Sequence, residues 1–157
     1  MKAETIQGIK GELITLKIPQ LAELCLRLCR YKKENKELLT YLLFEAHHEQ
    51  EYIKGIKKEI DDLFGEINLS HLYFAKKSLR KIVRIINKYC RYSGIKQTEI
   101  ELRLYFCATL KDSGIPIQHN TIINNLYKSQ LKKIDLLMGS LHEDLQYDYA
   151  VHRNALG

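Results

Sequence analysis

Along most of the chain Leu, Ile and aromatic residues recur at spacings of three and four, and only Pro19 and Pro116 interrupt the pattern. That period belongs to amphipathic helices, so the fold class is all-α, a multihelical bundle of five to six helices. A first helix is predicted from Pro19, which has no N–H to leave unpaired in a first turn, through Leu21, Leu24, Cys25 and Leu28 to about Lys32. Asn35 is the expected cap of the next. Its stripe of Leu38, Leu42, Ala46, Ile53, Ile56, Ile60, Leu63 and Ile67 keeps one face throughout, with Gly55 or Gly65 as the break. A third helix spans residues 70–92 and stops at Gly94. Thr98 and Glu101 read as the capping box of a fourth, which ends near Gly114 ahead of Ile115-Pro116. A fifth covers residues 120–145. The first sixteen residues contain Gly8 and Gly11 and show no period, so no element is predicted there.

Two stretches of this pattern resemble each other. Residues 21–31 align with 82–92, and Cys29-Arg30-Tyr31 reappears as Cys90-Arg91-Tyr92. One position further out of register, Glu37, Leu38, Leu42, Phe44 and Ala46 meet Glu99, Ile100, Leu104, Phe106 and Ala108. A third block pairs Ile60-Asp61, Leu63, Phe64-Gly65 and Ile67 with Ile134-Asp135, Leu137, Met138-Gly139 and Leu141. The offset grows from 62 to 74 between the last two blocks, which places a twelve-residue insertion near residues 109–130. The expectation is an internal repeat of 21–67 and 82–141, two helical units that stack on one core. Leucine-rich helices also align by chance, and that reading stands beside it.

Composition narrows the classes. At 157 residues, 45% hydrophobic and 28% charged, the chain suits one globular domain over 1–157. Its longest apolar run, residues 104–108, falls far short of the roughly 20 needed to cross a bilayer, so no membrane is expected. The opening residues carry no signal-peptide pattern, which makes the cytoplasm the expected location. Cys25, Cys29, Cys90 and Cys107 are then expected inside the fold, reduced and without metal.

Charge is unevenly distributed. Between Ile67 and Thr98 there is no Asp or Glu, while Lys76, Lys77, Arg80, Lys81, Arg84, Lys88, Arg91 and Lys96 are all basic. The rest of a chain whose net charge is +6 is slightly acidic. On a helix Lys77, Arg80, Lys81, Arg84, Lys88 and Arg91 share a stripe about 100° wide and about 21 Å long, opposite Leu79, Ile82, Val83, Ile86 and Cys90. Such a stripe suits a nucleic-acid phosphate backbone or another polyanion. The competing reading is a solvated face whose cations pair with carboxylates of neighbouring helices.

The insertion offers a second candidate. Gln118, Asn120 and Asn124 open a helix after a Gly-Ile-Pro turn, where amide side chains reach base edges in recognition helices. Asn and Thr are equally good helix caps. For metals, Glu45 and His48 make one Glu-x-x-His with Glu49 beside it, whereas a di-iron bundle needs two such motifs and two further glutamates. No metal, cofactor or enzymatic site is expected.

The Cys90-Arg91-Tyr92 and Ile134-Asp135-Leu136-Leu137 segments, with the overall length, resemble small all-helical proteins of Bacteroidetes-type bacteria that have no assigned function. The resemblance implies a cytoplasmic bacterial protein and carries over no site residue. Two functions follow from the residues themselves. One is a non-enzymatic module that binds nucleic acid or another acidic partner through the basic helix; the other is a protein-interaction or homo-oligomerisation module.

Overall fold

The computed structural model describes residues 2–157, and every regular element among them is helical. The order is α1 (Ile6–Thr15), α2 (Ile18–Tyr31), α3 (Lys33–Thr40), a π-helical turn (Tyr41–Glu45), α4 (Glu49–Gly65), α5 (Leu72–Ser93), α6 (Lys96–Asp112), α7 (Thr121–Met138) and α8 (Glu143–Leu156). The all-α class holds, and the eight α-helices exceed the five to six expected. The chain divides into two compact units, one ending at Phe44 and one running Glu45–Gly157.

In the first unit Thr5 caps α1 by accepting the Gly8 N–H at 3.0 Å. Gln20 accepts the Lys17 N–H at 2.9 Å and closes the start of α2, with Pro19 in the first turn as expected. Asn35 does not begin a helix. It sits inside α3, where the Leu28 carbonyl that takes the Lys32 N–H at 3.4 Å also accepts the Asn35 Nδ2–H at 2.9 Å. That bond staples the α2–α3 hairpin, yet none of α1, α2 or α3 contains a buried residue.

The second unit is built around α6, which packs against α4, α5, α7 and α8. Ile100, Leu102, Leu104, Phe106, Cys107 and Leu110 are all buried, so this helix is apolar on more than one face, as a central helix must be. Ile53, Ile56 and Ile60 from α4, Leu79, Ile82 and Ile86 from α5, and Ile123 and Ile134 from α7 complete the core. The Phe64 and Phe106 rings meet at 5.7 Å.

Three expected boundaries are corrected. The long helix through residues 38–67 is broken at 46–48, where His48 leaves helical geometry at φ −130°, ψ 53°. α4 then starts afresh with Glu49 and Glu51 in its first turn, where carboxylates favour the helix dipole, and it passes Gly55 to end at Gly65. Thr98 is not a cap, because α6 begins two residues earlier and the Thr98 hydroxyl is buried against Glu49. The helix expected over 120–145 ends at Met138, and α8 restarts with Glu143 and Asp144 in its first turn. The stop at Gly94 is as expected, with φ +68° in the left-handed region that glycine tolerates.

Candidate nucleic-acid interface

α5 is amphipathic from Ala75 onward. Ala75, Leu79, Ile82, Val83, Ile86 and Cys90 are buried, which turns the opposite sector outward. Lys77, Arg80, Lys81, Arg84 and Arg91 are exposed there, and among the described residues none of them meets a carboxylate. The Nε–H groups of Arg84 and Arg91 donate to the carbonyls of Arg80 and Asn87 one turn back, both at 3.3 Å. These bonds orient the guanidinium groups without neutralising them. Lys88 differs from its neighbours: it is half-buried, with Nζ 4.6 Å from the Tyr89 ring centroid and 6.0 Å from that of Tyr92.

Polar contacts tie the flanks of α5 to its neighbours. The Tyr89 hydroxyl donates to Glu59 at 2.7 Å, and Ser93 donates to Glu49 Oε1 at 2.6 Å, fixing α5 to α4. Arg103, buried on α6, donates to Asn87 at 2.8 Å and to Gln130 on α7. Sequence reasoning passed over this arginine; the available signal was a cation set between Leu102 and Leu104, four residues after Glu99. It also passed over Tyr73 and Phe74, whose rings stand 71% and 51% exposed at the start of the basic stripe.

The amide candidates are placed separately. Asn120 accepts from the Ile122 and Ile123 N–H groups at 3.1 and 3.3 Å, the geometry of an N-cap, which occupies the carbonyl oxygen that bidentate base reading requires. Gln118 and Asn124 line a cleft of about 840 Å³ together with His119, Lys111 and Lys128. No hydrogen bond or ion pair among the described residues joins these amides to the cations of α5.

Glu49 is committed to the hydroxyls of Ser93 and Thr98, and among the described residues Glu45, His48 and Glu49 belong to no group of His, Cys, Asp or Glu suited to a metal ion. The cysteines correct an expectation. Cys90 and Cys107 are buried, but Cys25 is exposed and Cys29 half-buried, because α2 places no residue in a core. Burial pushes the Cys90 and Cys107 thiols up to about 12, with Arg103 opposing the shift at both. No helix among the described residues is long and apolar enough to cross a membrane. The chain matches no protein-family model, no curated protein and no solved structure.

Proposed function

We propose that the protein is a non-enzymatic binding module that engages nucleic acid or a comparable polyanion along α5. The observation carrying this reading is the exposure of Lys77, Arg80, Lys81, Arg84 and Arg91 on one helical face without a carboxylate partner among the described residues. A solvated face balanced by neighbouring acids needs those pairs; two carboxylates of this unit pair with cations outside α5, Glu101 with Lys57 at 2.6 Å and Asp135 with Arg153 at 2.7 Å. Five cations on one helical face, without a carboxylate partner among the described residues, place their charge where phosphates would release counterions on binding. Lys88 contributes through the Tyr89 and Tyr92 rings it covers, and the amides of Gln118 and Asn124 form a separate surface. The test is affinity for random-sequence DNA as a function of salt: tight binding at low salt with a steep linear loss in log affinity supports the reading, and no binding at low salt ends it.

A second reading rests on a different observation. Leu24, Leu26, Leu28, Leu42, Leu43 and Phe44 are exposed in the first unit, an apolar surface suited to a protein partner or a second copy. Light scattering across a concentration series tests it through the oligomeric state. The duplication belongs with these proposals. Residues 21–67 hold α2, α3, the π-helical turn and α4 and cross from the first unit into the second, whereas residues 82–141 hold α5, α6 and α7 within the second, with the extra residues in and around the connection between α6 and α7.

A further inference from the structure

Tyr73 and Phe74 occupy the first turn of α5 and contact each other edge to face at 5.5 Å between ring centroids. The His71 ring, just before the helix, meets Phe74 at 6.0 Å. At about 100° per residue Tyr73 falls inside the angular sector of the basic stripe, one turn before Lys77. With 71% of Tyr73 and 51% of Phe74 exposed, these rings lie largely outside the core that the rest of α5 supplies. Exposed Lys77 follows one turn later, so the Tyr73 ring and the run of cations share one face.

We infer that the polyanion is single-stranded nucleic acid, with a base stacked on the Tyr73–Phe74 pair while the strand's phosphates follow Lys77, Arg80, Lys81, Arg84 and Arg91. This rests on the polyanion reading and adds a strand preference to it. In a duplex each base is covered on both faces by its neighbours, so an exposed ring finds only sugar and phosphate. In a single strand the base faces are open, and aromatic rings beside a basic track are the combination that binds such strands without reading sequence. The edge-to-face contact holds one ring against the other, which reduces the rotamer freedom lost when a base arrives.

The test compares three probes with the same number of phosphates: oligothymidylate, a DNA duplex, and an abasic strand that keeps the backbone and lacks the bases. The parent protein is expected to bind oligothymidylate about tenfold more tightly than the abasic strand, the scale of one stacked base. The paired variant Tyr73→Ala and Phe74→Ala is expected to bind those two probes equally while its dependence on salt stays that of the parent. Because the abasic probe leaves the protein untouched, the comparison stands even if the variant is poorly folded. A parent that binds oligothymidylate and the abasic strand alike overturns the inference and leaves the polyanion reading in place. A variant that keeps the base preference, or changes only self-association, overturns it too. A parent that binds none of the probes removes both.

Discussion

The guanidinium of Arg103 on α6 donates from Nη1 to the side-chain oxygen of Gln130 on α7, with both residues almost wholly buried. Its Nη2 reaches Asn87 on α5 at 2.8 Å and its Nε reaches Glu99 at 2.8 Å, so a single planar cation joins three helices. The fork geometry is what allows this, since an ammonium cannot direct donors to several acceptors in one plane. Among the described residues, buried side-chain polar atoms all find partners.

Replacing Arg103 is therefore expected to destabilise the second unit. Arg103→Ala leaves Asn87, Gln130 and Glu99 without their donor and is expected to cost about 3 kcal/mol. Arg103→Lys keeps the charge and is expected to recover less than half of that. Urea unfolding followed by circular dichroism measures both; a lysine variant as stable as the parent contradicts the argument from geometry.

Glu49 joins the start of α4 to the end of α5 and to α6 through Ser93 at 2.6 Å and the Thr98 hydroxyl. Hydroxyl bonds to a carboxylate are stronger than neutral ones, so Glu49→Ala is expected to cost about 2 kcal/mol and Thr98→Val about 1 kcal/mol. The double variant is expected to fall short of the sum, because the two substitutions remove one shared bond. Additive losses in the unfolding midpoints would show that Thr98 acts through something else.

These two contacts also mark where reading from sequence stops. α5 was legible from its apolar period to the Gly94 stop because burial on one face and a left-handed cap are both local signals. Thr98 fits a capping box by spacing, and only the bond from its hydroxyl to the distant Glu49 carboxylate shows that it is an interior residue. The break at 46–48 was hidden because Ala46 and Ile53 continue the same stripe across it, and the break at Gly139 because a glycine near a helix end reads as tolerable within it. α1 gave no signal because it buries nothing, so no face had to be apolar. Of the candidate site, the bearing of the cations was legible and their lack of carboxylate partners was not, since pairing is decided by neighbouring helices.

The thiols give a prediction in pH. Cys90 and Cys107 rise from an ordinary value of 9.0 to about 12 through burial, so above pH 9 the unfolded chain has lost thiol protons that the folded chain keeps. The stabilisation is full below pH 9 and is lost as pH rises toward 12, by about 1.4 kcal/mol per pH unit for each thiol. Urea unfolding at pH 8 and pH 10 is expected to show this loss, with a weaker dependence in a variant carrying Cys90→Ala and Cys107→Ala. At pH 8 a thiol-specific chromogenic reagent is expected to modify exposed Cys25 first and Cys29 more slowly, leaving Cys90 and Cys107 until denaturant is added. Rapid modification of all cysteines in the folded protein would contradict the burial.

The basic stripe yields the prediction on which the functional reading depends. Lys77, Lys81 and Arg84 are exposed and meet no carboxylate among the described residues, whereas Lys88 packs over Tyr89 and is better left in place. Changing the first three together to Gln keeps helix propensity nearly constant and is expected to hold stability within about 1 kcal/mol of the parent. If each contacts a phosphate, the slope of log affinity against log salt is expected to flatten by about 0.9 per lost contact on duplex DNA and about 0.7 on a single strand. Affinity is expected to fall to a similar degree on every sequence, because phosphate contacts position a protein without reading bases. A folded triple variant that binds as the parent does would make the stripe a solvated face. One that unfolds would mean these side chains stabilise the helix bundle, and the exposed leucines of the first unit would then become the better guide to a partner.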